Sequence, residues 1–143
     1  MNAKAAAIKA AGEYAMQRWP PADDRTFCNI ATAHIASVAG YAGFRGMVAN
    51  DIVKLMSSSP DFAKVAPVAA QALANDGRLV IAGICGEAHG HVAVIAPGGE
   101  LFYSKKWRQD CPVVMNTGKT NGIMSASWAF SEEPAYFSWI ESV

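Results

Sequence analysis

Residues 79–97 of this chain read LVIAGICGEAHGHVAVIAP. The stretch holds two apolar runs of strand length, at residues 79–85 and 90–97, joined by a tight connection at residues 86–89. Pro97-Gly98-Gly99 then turns the chain. The pattern predicts consecutive strands of an antiparallel sheet.

The rest of the C-terminal half continues this strand pattern. Short apolar or aromatic runs predict four further strands, at residues 101–104, 113–116, 125–130 and 136–140. Each run is bounded by polar or glycine-containing segments of the kind that form turns.

The N-terminal half has helical spacing instead. Apolar side chains recur at three- and four-residue steps, which predicts helices at residues 3–18, from about 26 to 40, 48–56 and 65–74. Pro20-Pro21, Gly40, Pro60 and Gly77 mark their ends. Helices followed by strands predict an α+β fold in which N-terminal helices pack on an antiparallel sheet. With no repeat or linker, residues 1–143 are predicted to form a single domain.

Composition excludes several classes of function. The 143 residues include 12 basic and 12 acidic side chains, so no strong field attracts nucleic acid or anionic lipid. No apolar run approaches the roughly 20 residues that span a bilayer, so no membrane insertion is expected. Glu13, Gln17 and Arg18 interrupt the N-terminal segment, which predicts synthesis in the cytoplasm without a signal peptide.

The three cysteines fall in different settings and have no CxxC spacing. Cys85 and Cys111 lie in or beside predicted strands, so we expect small buried apolar residues there, with a mutual disulfide as the alternative. Cys28 lies in the first turn of the second predicted helix. Unpaired N–H groups and the helix dipole favour a thiolate at that place, which predicts a lowered thiol pKa and a nucleophile.

A nucleophilic thiol needs a base, and His91 is the candidate. It follows Gly90 at the start of an apolar strand, where the backbone holds the imidazole rigidly. A third group must orient that imidazole, and Asn116, at the end of the run 113–116, is our candidate, with Asp110 second. Each residue also has an ordinary structural interpretation: Cys28 and His91 as core positions, and Asn116 as a turn residue.

The other two histidines are weaker candidates. His34 lies two turns into the helix of Cys28, too far along to act on its sulfur. His89 and His91 would share a strand face as an HxH pair, but no third ligand has suitable spacing, so neither a metal nor another cofactor is expected.

Several segments resemble the amidase effectors of the type VI secretion system, in particular their smallest class. The resemblance covers residues 26–118 and is most specific in the series Ala70-Gln71, then 77–83 (GRLVIAG), then 90–94 (GHVAV). Cys28 after Asp24-Arg25-Thr26-Phe27 and the pair Ala49-Asn50 also match. These effectors are papain-like cysteine peptidases of the NlpC type.

The resemblance implies a DL-endopeptidase that cuts the peptidoglycan stem peptide between D-glutamate and the diamino acid. Cys28 takes the nucleophile position, His91 the base position and Asn116 the third position. It also implies delivery by secretion machinery to the periplasm of a target cell, and an immunity protein that inhibits the enzyme in the producer. Trp107, Trp128 and Tyr103 could line the cleft, and residues 23–25 could meet the charged peptide.

Three alternatives stay open on the same scaffold. A phage-type lysin or tail-associated wall hydrolase would use the same dyad with another delivery route. A wall-binding or partner-binding module would keep the fold without turnover. A thiol-dependent acyltransferase would pass the acyl group to an acceptor other than water.

Overall fold

The computed structural model describes residues 1–22 and 25–141. Over these ranges the chain forms five helices and eight strands, in the order α1 (Ala3–Arg18), α2 (Cys28–Ala39), α3 (Ala49–Ser58), β1 (Phe62–Val65), α4 (Pro67–Asn75), β2 (Val80–Ile84), β3 (His91–Ile95), β4 (Phe102–Ser104), β5 (Gln109–Cys111), β6 (Val113–Asn116), β7 (Gly122–Ser125), α5 (Ala126–Ala129) and β8 (Ala135–Trp139). None of the described helices is both long and apolar enough to cross a lipid bilayer.

Six strands form one antiparallel sheet in the order β1-β8-β2-β3-β6-β7, and β4 and β5 form a separate two-stranded sheet. Strands β2 and β3 lie at the centre, with Ile81 opposite Val94 and Ile84 opposite His91. Three helices precede the sheet and two lie between its strands, and their packing on an antiparallel sheet makes this an α+β fold, as the sequence predicts.

Alternate residues of the central strands enter two different cores, because successive side chains of a strand point to opposite faces. Ile81, Val92 and Val94 join the apolar side chains of α1, α2 and α3. On the other face, Val80, Ala82, Ala93 and Ile95 pack with residues from α4, β5 and α5. The first three helices therefore cover one face of the sheet.

Gln71 of α4 connects the end of β3 with the start of the neighbouring strand β6. Its side chain is buried; Nε2 donates to the carbonyl of Ala96 at 2.9 Å, and Oε1 accepts from the N–H of Val113 at 2.8 Å. A buried amide with both ends satisfied stabilises the register it bridges. This register matters for the site, because β3 begins with His91 and β6 ends with Asn116.

The helices and strands predicted at 3–18, 79–85, 90–97, 101–104, 113–116 and 136–140 are confirmed to within two residues at each end. The second helix begins at Cys28 and ends at Ala39. Gly40 follows it with a φ of 110°, in the left-handed region that glycine adopts without strain. The third runs two residues beyond the predicted end, to Ser58.

One prediction for the remaining elements is wrong, and three short strands were not predicted. The helix predicted at 65–74 is confirmed as Pro67–Asn75 to within two residues, although Val65 itself ends the edge strand β1. The strand predicted at 125–130 is the short helix α5, capped by the Ser125 hydroxyl, which accepts from the N–H of Ser127. Strands β1, β5 and β7 were not predicted. All three are short, and pairing with a neighbouring strand stabilises them more than their own apolar pattern does.

The cysteines correct two further expectations. Cys28, Cys85 and Cys111 are all free thiols, so the alternative of a disulfide between Cys85 and Cys111 is wrong. Cys111 is buried in the second core, as predicted. Cys85 is exposed, because β2 ends at Ile84 and the chain leaves the sheet there.

Candidate active site

The Cys28 thiol lies at the start of α2, and only 7% of the residue is exposed. Phe27 precedes it and provides no side-chain cap, so N–H groups of the first turn remain available. The backbone N–H groups of Val92, Asn29 and Cys28 itself favour the thiolate and lower its pKa. Since Val92 follows His91 in β3, the sulfur lies against the start of that strand.

Burial is nevertheless the larger effect and raises the pKa of the Cys28 thiol above its ordinary value of 9.0. The expectation of a lowered pKa is therefore wrong for the unliganded protein. The helix N-terminus does provide the expected N–H groups, but removing the sulfur from water costs the charged form more. Cys28 is a neutral thiol near pH 7 and needs a base to become a nucleophile.

The His91 imidazole lies within hydrogen-bonding distance of Asn116. The Nε2 atom of His91 is 2.7 Å from Oδ1 of Asn116, and the Asn116 Nδ2 atom donates to the carbonyl of Thr120 at 2.8 Å. Because the Thr120 carbonyl accepts from the Asn116 NH₂ group, the amide oxygen Oδ1 must be the atom that faces the imidazole. An oxygen can only accept, so the Nε2 atom of His91 carries the proton. The Nδ1 atom is then the free, basic nitrogen.

Two further contacts define the imidazole environment. The Phe130 ring lies 4.7 Å from the imidazole, measured between ring centroids. Burial lowers the pKa of His91 below 6.5, and the hydrogen bond to Asn116 opposes this by raising it. His91 is therefore neutral near pH 7 and can accept a proton.

The tertiary structure separates the two candidates for the orienting residue. Asn116 is 4% exposed at the end of β6, next to β3 in the main sheet. Asp110 is exposed on β5, in the two-stranded sheet opposite Tyr103. Of these two residues, only Asn116 is hydrogen-bonded to His91.

The sulfur and the imidazole line two adjoining clefts. Cys28 lines a cleft of about 300 Å³ between α2, α3 and the β2–β3 connection. His91 and Asn116 line a second cleft, of about 520 Å³. Residues common to both walls are Thr26, His89 and Gly90. The two adjoining clefts together form a groove, and a substrate bound along it could contact both Cys28 and His91.

The other two histidines, His34 and His89, have no contact that would give them a catalytic or metal-binding role in the described structure. His89 is exposed in the β2–β3 connection. Because it is not on a strand, it does not share a strand face with His91. Over residues 1–22 and 25–141, no group of three or more His, Cys, Asp or Glu side chains is placed to hold a metal ion. His34 packs against the rings of Tyr14 and Trp19, with ring centroids 5.1 and 5.6 Å from its own.

Of the three aromatic residues proposed for the cleft, Trp128 lines it and is 69% exposed. Trp107 instead packs partly buried against the second core, and Tyr103 lies on β4, outside the described cleft lining. Asp23 and Asp24 lie outside the described residues. Arg25 is exposed, and its backbone pairs with that of Ala22.

Sequence reasoning missed the role of Asn50, at the start of α3. Its Nδ2 atom donates to the Gly86 carbonyl at 2.9 Å, and its Oδ1 atom accepts from the Gly86 N–H at 3.1 Å. A Cβ at Gly90 would clash with the same Oδ1 atom and lie 2.7 Å from the Ile84 carbonyl. Asn50 thus holds the connection that leads into His91. The sequence signal for this contact is the pair Gly86 and Gly90, four residues apart, which indicates a close backbone approach in the connection.

Comparison of the chain with protein-family models and with curated protein sequences gave no match. A function therefore has to be inferred from the geometry. A buried thiol at a helix start, with an amide-oriented neutral imidazole in the adjoining cleft, can perform nucleophilic acyl transfer.

Proposed function

We propose that this chain is a papain-like, NlpC-type cysteine amidase that hydrolyses the peptidoglycan stem peptide between D-glutamate and the diamino acid. The observation that carries the proposal is the 2.7 Å contact between His91 Nε2 and Asn116 Oδ1, which leaves Nδ1 basic in the cleft adjoining Cys28. The contact sets the imidazole tautomer in which one nitrogen is free to act as a base.

In the first half-reaction, His91 Nδ1 takes the proton from the Cys28 thiol, and the sulfur attacks the carbonyl carbon of the scissile amide. The carbonyl oxygen becomes an oxyanion, which the backbone N–H of Cys28 and a neighbouring donor stabilise. The carbon–nitrogen bond then breaks, and His91 returns its proton to the leaving amine. A thioester on Cys28 remains.

In the second half-reaction, water attacks the thioester carbonyl while His91 removes a proton from it. The carbon–sulfur bond breaks, the carboxylic acid product leaves, and the sulfur regains its proton from His91. Each turnover therefore consumes one amide and one water, with the neutral thiol and imidazole restored.

The choice of peptidoglycan as substrate is supported by the resemblance of residues 26–118 to type VI amidase effectors, and by the placement of its matching residues. Cys28 begins α2, His91 begins β3, and Asn116 ends the neighbouring β6. The same proposal includes secretion into a target cell's periplasm and an immunity protein that covers the groove in the producer.

The test is digestion of purified peptidoglycan sacculi, followed by mass spectrometry of the released muropeptides. We expect wild-type protein to release two fragments per cut between D-glutamate and the diamino acid, whose summed mass exceeds that of the uncut peptide by one water. Cys28→Ala should reduce release by at least about a thousandfold, the scale seen when a nucleophile is removed. Cys85→Ala removes the exposed thiol and is the matched control, which should keep wild-type activity.

Three results would overturn the proposal in different ways. Equal digestion by wild type and Cys28→Ala would exclude Cys28 as nucleophile. Fragments carrying a transferred amine would show an acyltransferase. Binding of sacculi without any release by wild-type protein would show a non-catalytic module.

A further inference from the structure

The cleft of His91 is lined by two lysines that come from separate parts of the fold. Lys106 lies in the turn between β4 and β5, and Lys119 lies in the loop between β6 and β7. No aspartate or glutamate is among the described residues that line this cleft. The chain as a whole has no net charge, so this is a local concentration of positive charge.

Within residues 1–22 and 25–141, no carboxylate forms an ion pair with either lysine. Over the described ranges, the ion pairs join Lys4 to Glu141 and Lys9 to Glu13. Lys106 lies over the Trp107 ring, with Nζ 5.2 Å from the ring centroid, a contact that leaves the lysine its full charge. A cleft with unbalanced charges of one sign attracts ligands of the other sign.

The loop of Lys119 is held in place by hydrogen bonds on both sides. The Gly118 N–H donates to Oδ1 of Asn121 at 3.0 Å, and Nδ2 of Asn121 donates to the carbonyls of Met16 and Trp19, both at 2.9 Å. The Thr120 carbonyl accepts from Asn116, the partner of His91. The backbone that carries this lysine is therefore tied to the residue that orients the imidazole.

The turn of Lys106 is also ordered. The Ser104 hydroxyl accepts from the N–H of Trp107 at 3.1 Å, and Ser104 itself is buried at the end of β4. Both lysines thus line the cleft beside His91 from ordered backbone. Such preorganisation lowers the entropy that each lysine loses when it binds an anion.

We propose that Lys106 and Lys119 are specificity-determining residues that select an acyl donor with free carboxylates near the scissile amide. The inference rests on the proposed function and assigns these two side chains a role within it. In the stem peptide, the α-carboxylate of D-glutamate and the second carboxylate of a diamino diacid flank the bond. Amidation of these groups removes the charge and leaves the rest of the peptide nearly unchanged.

The test compares an acidic stem tetrapeptide with its analogue amidated at both carboxylates. Both are incubated with wild-type protein, Lys106→Gln, Lys119→Gln and the double variant. Exposed ion pairs are worth up to about 1 kcal/mol, so each lysine should change kcat/KM for the acidic peptide by roughly two- to fivefold. The double variant should lose roughly four- to 25-fold, mainly through KM.

Lys105→Gln is the matched control, because Lys105 is an exposed lysine of the same turn that is absent from the described cleft lining. It should keep the wild-type preference for the acidic peptide. Raising the salt concentration should reduce that preference in wild type and not in the double variant. An equal preference in wild type and the double variant, or a loss as large in Lys105→Gln, would overturn the inference.

A binding measurement separates this inference from the proposed function. Fluorescein-labelled acidic and amidated peptides are titrated with Cys28→Ala protein and followed by anisotropy, with and without the two lysine substitutions. Lysine-dependent binding of the acidic peptide, without hydrolysis by wild type, would refute the amidase and support the carboxylate site. Hydrolysis of both peptides at equal rates would support the amidase and refute the carboxylate site.

Discussion

The Oδ1 atom of Asn116 lies 2.7 Å from the Nε2 atom of His91, at the point where two neighbouring strands of the sheet bring their ends together. The Asn116 amide is itself oriented by the Thr120 carbonyl. One side chain therefore sets both the direction and the tautomer of the imidazole. The predictions below follow from this relationship and from the burial around it.

Replacement of Asn116 should slow turnover and also move the pH profile. We expect Asn116→Ala to lower kcat by roughly ten- to a hundredfold, the scale for losing a group that orients a catalytic one. Because the hydrogen bond raises the pKa of His91, its loss should shift the acid limb of kcat/KM to lower pH. Asn116→Asp adds a carboxylate beside the imidazole and should shift the limb to higher pH. Identical limbs in all three proteins would contradict an orienting role.

The reactivity of Cys28 should keep rising well above neutral pH. Its thiol pKa lies above 9.0 because of burial, so at pH 7 fewer than about one thiol in a hundred is ionised. Alkylation by iodoacetamide, followed by mass spectrometry of the Cys28 peptide, should accelerate through pH 9 without reaching a plateau. The exposed Cys85 provides an internal comparison in the same sample. A plateau between pH 5 and 8 would instead indicate a thiolate and imidazolium pair at rest.

Acid should destabilise the protein through His91. Its pKa is below 6.5 in the folded state, whereas in the unfolded chain it returns to about 6.5, so the unfolded state binds more protons as the pH falls through that value. Stability should therefore decrease from pH 7 to pH 5. In His91→Asn this contribution is absent, and urea denaturation should show a smaller loss between the two pH values. A loss equal to that of wild type would contradict the inferred shift.

Gly90→Ala should be destabilising and should reduce activity. Its Cβ would clash with the Asn50 Oδ1 atom and lie 2.7 Å from the Ile84 carbonyl, which forces the β2–β3 connection to move. Overpacking of this kind costs about 1 to 3 kcal/mol in the free energy of unfolding. Gly122→Ala is the control, because the nearest atom to its Cβ would be Met124 Cε at 3.7 Å. Equal free energies of unfolding for the two variants would show that the β2–β3 connection can move to accommodate the added Cβ at no cost in stability.

Trp128→Ala should weaken substrate binding without affecting the core. The side chain is 69% exposed and lines the cleft, where it contacts the Phe102 ring with a centroid distance of 5.2 Å. We expect KM to rise by roughly three- to tenfold, the value of one aromatic contact, with little change in kcat or in Tm. A drop in Tm of the size seen for core substitutions would instead assign Trp128 a structural role.

The predicted elements were correct where the local pattern is strong and wrong where a helix cap or strand pairing outweighs that pattern. The apolar runs around β2 and β3 are strands because both faces of the central sheet are covered. The sequence SASWAF at 125–130 has the residues of a strand, yet the Ser125 cap begins a helix there. The sequence predicts that Val65 begins a helix, but in the structure Val65 pairs with Tyr136 of β8 as the last residue of β1.

Sequence alone determined the α+β class, the antiparallel strands after residue 79, and the place of Cys28 in the first turn of a helix, because these depend on periodicity and on local stop signals. Only the tertiary structure decided that Asn116 rather than Asp110 reaches His91, that Cys85 is exposed, that burial raises the thiol pKa, and that Lys106 and Lys119 line one cleft. The physical reason is that strand order and desolvation depend on residues distant in the chain, which no local pattern encodes.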